Sequence, residues 1–146
     1  MATVKTKDEP IVIEHSFSAD PATIWEAITD TKKMKHWYFD MKDFRPDVGY
    51  EFRFLAGDDR QQYLHICKVT EVIPERKLSY SWRYEHDPGV SDVTFEIFPE
   101  GKNTRLRLTH RGTENFSSEH PELATENFIQ GWDQIINKNL KDFLGE

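Results

Sequence analysis

Residues 118–144 read SEHPELATENFIQGWDQIINKNLKDFL, and this stretch decides the fold. At 100° per residue, its large apolar side chains fall within about a third of the circumference of one long amphipathic helix. The sequence before it is a run of alternating strands, so we expect a curved antiparallel sheet to cover this apolar stripe. The stripe consists of Phe128, Trp132, Ile135, Ile136 and Phe143.

Asn139 interrupts the predicted stripe near its centre, where leucine would be expected. Two interpretations follow from this position. The amide either faces a polar spot inside a cavity, or the end of the helix projects past the sheet into water. We favour the second interpretation, because helix ends fray near a terminus.

The residues before the helix alternate with the periods of strands and short helices. Period-2 alternation predicts a first strand over residues 11–17, and the Asp20-Pro21 cap predicts a helix from about Pro21 to Thr29. A second short helix covers residues 30–37. Strands with turns between them are predicted at about residues 48–56, 62–73, 78–84, 93–98 and 105–110.

This order predicts an α+β domain, in which helices lie on one face of an antiparallel meander of five or six strands that follows the two short helices. A helix of about 24 residues is roughly 36 Å long. A twisted sheet cannot pack evenly along that length, so a cavity is expected between the helix and the concave sheet. We expect one domain over residues 1–146, with residues 1–9 as a flexible N-terminus.

The composition of the chain limits the classes of partner that the protein is expected to bind. The 19 basic and 26 acidic residues give a net charge of −7, and the basic residues are scattered, which disfavours nucleic acid and an anionic membrane surface. No signal core or membrane-spanning run is seen, so a cytoplasmic protein is the default expectation. The single Cys67 excludes an internal disulfide. No cofactor is expected, and a homodimer stays open.

Several local strings, in this order and spacing, resemble the SRPBCC superfamily, which has the START or birch-allergen-like helix-grip fold. Within it the chain resembles homologues of the heat-shock-protein-90 ATPase activator. The resemblance implies a helix-grip fold that binds hydrophobic ligands. The matching strings are FSADPATIWEA at residues 17–27, Trp37, VTEVIP at residues 69–74 with Leu78 and Trp82, and Gly131-Trp132.

The chain departs from the family pattern at three positions. The family usually has glycine at the position of Cys67, often a second proline at Glu75, and often arginine at His15. A side chain in place of glycine at position 67 predicts a smaller pocket, or one that carries a thiol.

The aromatic excess, 13% of the residues, points to a ligand pocket between the helix and the sheet. The competing interpretation is that the same rings form a solid core. Ligand access is expected near the second helix and the Trp37-Tyr38-Phe39 segment. The candidate ligand-binding residues are Trp37, Phe54, Tyr63, His65, Cys67, Trp82, Tyr84, His110, Phe128, Trp132 and Asn139.

Three other functions are alternatives to the binding of a small hydrophobic ligand. Cys67 and His65 share a strand face and could form a nucleophile and a base, but no third group can be placed to orient the base. With His110 and His15 they could ligate a soft metal, but these residues lie on separate strands and include no close-spaced pair. We therefore predict no catalytic or metal-binding residue, although an enzyme of the polyketide cyclase type stays an alternative. The family resemblance also implies a chaperone partner, for which residues 32–35 and 105–111 are candidate contact faces.

Overall fold

A computed structural model describes residues 10–39, 41, 43–57, 62–85, 87–116 and 125–146. The described residues form one antiparallel sheet of six strands, in the order β1-β6-β5-β4-β3-β2. The strands are β1 (Ile11–Phe17), β2 (Glu51–Gly57), β3 (Gln62–Ile73), β4 (Lys77–Tyr84), β5 (Val90–Glu100) and β6 (Asn103–Arg111). Five strands thus follow the short helices, and the predicted α+β helix-grip fold is confirmed. The predicted flexible N-terminus, residues 1–9, lies outside the described residues.

Two short helices connect β1 to β2. Helix α1 (Pro21–Thr29) begins where the Asp20 carboxylate accepts a hydrogen bond from the Thr23 backbone N–H at 2.8 Å. Helix α2 (Thr31–Trp37) begins where Asp30 accepts one from the Lys32 N–H at 2.9 Å. Each carboxylate satisfies an amide that has no partner inside its helix, which fixes both starting points.

Strand β2 begins later than predicted. Val48 is 67% exposed, and Gly49 has a φ of +94°, a conformation that side chains with a Cβ rarely adopt. The Tyr50 N–H donates to the Asp47 carbonyl at 3.0 Å, which closes a turn. The alternation of apolar residues therefore extends into this turn, and the strand itself starts at Glu51.

The inner face of the sheet carries the core. Along β4, the inward side chains of Leu78, Tyr80, Trp82 and Tyr84 are all buried, as their period-2 spacing predicts. They meet the helix that closes the chain. A fully buried apolar or aromatic side chain is worth about 1.5–3 kcal/mol, so this face supplies much of the stability.

The C-terminal helix has three parts: α3 (Thr125–Gln134), a π-helical segment (Ile135–Leu140) and α4 (Lys141–Phe143). The part of the predicted helix over residues 118–124 lies outside the described residues. A π-helix advances fewer degrees per residue than an α-helix, because its hydrogen bonds run from i to i+5. Spacing of four therefore keeps Trp132, Ile136 and Leu140 on one buried face.

The π-helical segment corrects the predicted position of Asn139. In a regular α-helix this residue lies at the centre of the stripe, whereas the wider turn puts Leu140 there and moves Asn139 off the buried face. Its amide oxygen accepts a hydrogen bond from the Gln134 amide at 3.0 Å on the exposed side. The helix end also packs against the fold, because Leu140 is fully buried and Phe143 stacks on His36 with centroids 5.7 Å apart. The favoured interpretation, a helix end in water, was wrong.

Gly89, between β4 and β5, is required by a close approach of two backbone segments. A Cβ at this position would lie 2.4 Å from the Asn115 carbonyl oxygen and 2.9 Å from the Phe116 ring. Gly131, in α3, offers the contrast, because a Cβ there would meet open space.

We predict that Gly89→Ala lowers the free energy of unfolding by about 1–3 kcal/mol, since one backbone segment must shift. Gly131→Ala should raise it by about 0.5–1 kcal/mol, because alanine is the better helix former. Urea unfolding of both variants checks this pair. Equal effects would contradict the packing at Gly89.

Candidate functional site

Trp82 lies at the centre of a group of aromatic side chains on the inner face of the sheet. It is 3% exposed, so almost all of its surface contacts protein. Ring centroids surround it at 5.0 to 6.5 Å on β2, β3, β4, β6, the C-terminal helix and the segment after α2. These neighbours are Phe39, Phe54, His65, Tyr84, His110 and Trp132.

The rings around Trp82 also contact one another on the side of the helix. Tyr84 meets Phe116 at 5.1 Å, and Phe116 stacks on Phe128 of α3 at 5.7 Å. Phe128 then packs edge-on against His110 at 5.0 Å, and His110 contacts Trp132 at 5.9 Å.

The remaining contacts close the circle through the segment after α2 and through β2 and β3. Tyr38 stacks on Trp132 at 6.0 Å and contacts Phe39 at 4.6 Å. Phe39 stacks on Phe54 at 4.6 Å, and Phe54 stacks on His65 at 4.5 Å. His65 returns to Tyr84 at 4.6 Å. We call this group of rings the Trp82 cluster. Its members are Tyr38, Phe39, Phe54, His65, Trp82, Tyr84, His110, Phe116, Phe128 and Trp132.

A line of hydrogen bonds ties the helix to three strands through this cluster. The Trp132 indole N–H donates to His110 Nδ1 at 2.9 Å, so Nδ1 is unprotonated and Nε2 carries the proton of the neutral ring. Nε2 donates to Ser91 Oγ at 2.7 Å, and the Ser91 hydroxyl donates to the Trp82 carbonyl at 2.9 Å. Each member of the line thus donates to the next, in one consistent direction.

Burial keeps both histidines of the cluster neutral. It lowers the pKa of His110 to about 3 and that of His65 to about 4, from an ordinary value of 6.5. His65 Nδ1 lies 2.9 Å from the Tyr63 carbonyl, to which it donates. Neither ring is positioned as a base that would gain a proton near neutral pH.

Two further hydrogen bonds satisfy polar groups among the rings. The Trp82 indole N–H donates to the Tyr84 hydroxyl at 3.0 Å, and the hydroxyls of Tyr38 and Tyr80 lie 2.5 Å apart. Burial raises the pKa of all three tyrosines, so their hydroxyls keep their protons at neutral pH.

The structure brings most of the predicted site residues together. Phe54, His65, Trp82, Tyr84, His110, Phe128 and Trp132 belong to the cluster, and Tyr63 lies at its margin, 5.9 Å from Tyr84. Cys67 is fully buried beside them on β3, opposite Phe52 and Trp82. Whether these residues bind a ligand stays a prediction.

Trp37 and Asn139 are placed elsewhere. The Trp37 indole N–H donates to the Ala27 carbonyl at 2.9 Å, which binds α2 to α1. Its ring stacks on Tyr38 at 5.1 Å, so Tyr38 stands between Trp37 and Trp132. Asn139 faces away, as described above.

Sequence reasoning missed four members of the site: Tyr38, Phe39, Phe116 and Ser91. From the sequence, Tyr38 and Phe39 are expected only at the ligand access, because no periodic pattern covers them. Phe116 follows a short 3₁₀ turn (Thr113–Asn115) and has no strand or helix partner in sequence. Ser91 gives no signal at all, since a serine at the start of a strand is ordinary.

The described residues do not support the catalytic or metal-binding alternatives for His65 and Cys67. The two side chains share a face of β3, as predicted, but burial raises the pKa of the Cys67 thiol and lowers that of His65. A neutral thiol beside a neutral imidazole is a poor nucleophile. Among the described residues, no three His, Cys, Asp or Glu side chains converge as a metal site requires.

These features define the class of protein. A curved antiparallel sheet that grips a long C-terminal helix, with two short helices after the first strand, is a helix-grip domain. Residues 18–145 match the family described as Activator of Hsp90 ATPase homolog 1-like protein, and the chain belongs to this family. The resemblance noted in the sequence is thus confirmed.

Solved structures show the same fold. Protein MLL2253 from Mesorhizobium loti is 30% identical, with 94% of this chain and 97% of that chain covered and a TM-score of 0.78. CalU16 from Micromonospora echinospora is 26% identical, with 92% and 75% covered and a TM-score of 0.69. PFC0360w, an HSP90 activator from Plasmodium falciparum, is 20% identical, with 93% and 96% covered and a TM-score of 0.70. The search of curated proteins found no match.

In the part of the chain that the structure describes, the helices are too short or too polar to cross a membrane.

We predict that His110 makes stability depend on pH. The unfolded chain binds a proton near pH 6.5 and the folded chain only near pH 3, so stability is present at neutral pH and is lost as the pH falls below about 6.5. The slope from one such histidine is about 1.4 kcal/mol per pH unit. Urea unfolding between pH 6 and 4.5 measures how the free energy of unfolding depends on pH. The slope of this dependence should be lower by about this amount in His110→Gln than in the wild type.

The control is Gly131→Ala, which changes no titratable group. It should leave the slope close to that of the wild type. An unchanged slope in His110→Gln would contradict a neutral, buried His110.

Proposed function

We propose that this protein binds a flat, apolar or aromatic small molecule against the Trp82 cluster. The observation that carries the proposal is the closed circle of aromatic side chains around Trp82, built from the helix and from both halves of the sheet. A dry core needs apolar volume, but it does not need so many rings with polar tips in one place. Ring faces and edges suit a planar ligand.

Partial exposure at the margin of the cluster supports access for such a ligand. Tyr38, Phe39, Tyr63 and Phe128 are each half-buried, whereas Trp82 and Trp132 beneath them are buried. Burial of ligand surface against these rings would provide about 25 cal/mol per Å² before the cost of ordering.

The Tyr84 hydroxyl gives the site a polar group that can orient the ligand. It accepts the Trp82 N–H and keeps its own proton, because burial raises its pKa. We propose that this proton is donated to a carbonyl or hydroxyl oxygen of the ligand. The indole N–H groups of Trp82 and Trp132 already donate hydrogen bonds within the protein, so the ligand would contact the surfaces of these two rings.

Phe128→Ala should weaken the binding of 2-acetylnaphthalene about tenfold, because the ring supplies contact area at the margin of the cluster. Quenching of tryptophan fluorescence measures the affinity. Ile129→Ala is the matched control, since Ile129 is the next residue of the same helix and is also partly buried, but it is not one of the rings of the cluster. If the probe binds neither the wild type nor any variant, or binds both variants equally, the proposed site is wrong.

The role of Tyr84 can be tested with a pair of probes of similar shape. The wild type should prefer 2-acetylnaphthalene to 2-ethylnaphthalene about fivefold, which is the value of one hydrogen bond. Tyr84→Phe should abolish this preference. The ratio of the two affinities cancels any general loss of stability, because both probes bind the same variant. A preference that survives in Tyr84→Phe would assign the donor to another residue.

A chaperone contact is the second candidate, and its support is membership of the family. Of the two predicted contact faces, Arg105 is already paired with Glu14 and Glu100 and lies over the Phe98 ring at 4.4 Å. Lys32 and Lys35 of α2 are exposed. Capture of Hsp90 that is lost in Lys32→Glu/Lys35→Glu but kept in Phe128→Ala would favour this candidate over the ligand site.

A further inference from the structure

We propose that strand β2 is an interface through which two copies of this chain pair edge to edge, in antiparallel orientation. The two-fold axis would pass beside Phe52. This inference does not depend on the ligand proposed above. It rests on an open strand edge, on a groove along that edge, and on a charge pattern that is complementary to itself.

The two outer strands of the sheet differ in how they are covered. On the side of β1, His15 Nδ1 donates to the Asn137 amide oxygen at 2.9 Å, and the C-terminal helix packs along this strand. β2 pairs with β3 on one side, and within the described residues no strand or helix packs along its other side. The open edge of the sheet is therefore β2.

The direction of the β2 backbone groups follows from its hydrogen bonds. The Tyr50 carbonyl accepts a hydrogen bond from the Val69 N–H at 2.9 Å, so this backbone group points toward β3. In an antiparallel pair of strands, the backbone groups of every second residue point toward the same neighbour. The N–H and C=O groups of the alternate residues Glu51, Arg53 and Leu55 therefore point away from β3. Within the described residues these groups have no backbone partner, and a row of donors and acceptors of this kind is a template for another strand.

A groove of about 610 Å³ runs along this edge. It is lined by Asp43 and Tyr50, by residues 51–55 of β2 and by Leu64 of β3, so it follows most of the length of β2. Asp43 contributes to its wall near Tyr50. The groove thus has an acidic end near Asp43 and Glu51.

The charges along the edge of β2 are complementary to those of a second copy of the chain, which indicates that a second copy binds there. Antiparallel pairing about Phe52 sets Glu51 opposite Arg53 of the second copy, and Arg53 opposite Glu51 of that copy. Both residues carry outward backbone groups, so the two pairs can also exchange their backbone hydrogen bonds. In the single chain Arg53 bonds to Glu51 at 2.8 Å on the surface, and its guanidinium needs only to turn to reach the second copy.

The apolar residues at the ends of the strand fit the same pairing. Leu55 is 63% exposed, and it would face the Val48-Gly49 turn of the second copy. Val48 is 67% exposed, and the space above Gly49 is open, so this turn can receive the leucine side chain. Pairing would cover two exposed apolar side chains in each copy.

Charge reversal tests the proposal. Arg53→Glu sets Glu51 opposite glutamate, and Glu51→Arg sets Arg53 opposite arginine, so each change alone should weaken self-association about tenfold or more. The double variant Glu51→Arg/Arg53→Glu restores both opposite-charge pairs and should restore the dimer. An equimolar mixture of the two single variants should form a heterodimer, because each supplies the charges that the other needs.

Sedimentation velocity from about 5 to about 500 µM measures these states, since one pair of strands buries too little surface for a tight dimer. Arg76→Glu, in the exposed turn after β3, is the control for net charge and should associate like the wild type. A wild type that stays monomeric over this range overturns the proposal, because the charges then only protect the edge. A dimer that persists in both single variants, or single variants that do not pair when mixed, would place any association elsewhere.

Discussion

The hydrogen bonds from Trp132 through His110 and Ser91 to the Trp82 carbonyl are the constraint on which the rest of the structure depends. Each group in the line is buried, and each would cost about 1–3 kcal/mol if it lost its partner. Among the described residues, no buried side-chain nitrogen or oxygen lacks a partner. The helix can therefore pack on the sheet in only one orientation about its own axis. Any other orientation would leave an indole N–H or an imidazole without a hydrogen-bond partner inside the core.

The same line makes the cluster electrically neutral. A protonated His110 could not accept the Trp132 N–H, so charging the ring would break the contact between helix and sheet as well as place a cation among aromatic rings. Neutral rings, protonated tyrosines and a neutral thiol leave the cluster with ring surfaces and hydroxyl donors but no charge. For the proposed ligand site this favours an uncharged, flat molecule over an ion.

The periodic parts of the fold could be predicted from the sequence, and the aperiodic parts could not. The cap at Asp20 and the alternation along β4 have local causes, and the structure confirms them. The π-helical segment has no such signal, because Ile135, Asn137 and Asn139 are merely weak helix formers, and one extra residue in a turn rotates everything after it. For the same reason Leu140 lies on the buried face at the position where the polar Asn139 was expected.

The site was predictable in its strands but not in its connections. Trp82 and Tyr84 follow the period of a strand, so their shared face could be derived. Tyr38 rather than Trp37 lies against Trp132, because the Trp37 indole N–H binds the Ala27 carbonyl and turns that ring toward α1. Pairing of this kind depends on contacts between residues distant in sequence. It is the hydrogen bonds of tryptophan and histidine, rather than apolar patterns, that decide which ring faces which.

Strand β2 connects the site to the open edge of the sheet. Its inward residues Phe52 and Phe54 pack in the core, and Phe54 stacks on His65 within the Trp82 cluster, while Glu51 and Arg53 alternate with them on the outer side. An edge strand held by one neighbour opens more easily than an interior strand, because only one ladder of hydrogen bonds must break. Pairing with a second copy would add a ladder on the other side and hold Phe54 against His65. A dimer at this edge would therefore stabilise the circle of rings without contacting the proposed ligand, and the coupling would act through the backbone of a single strand.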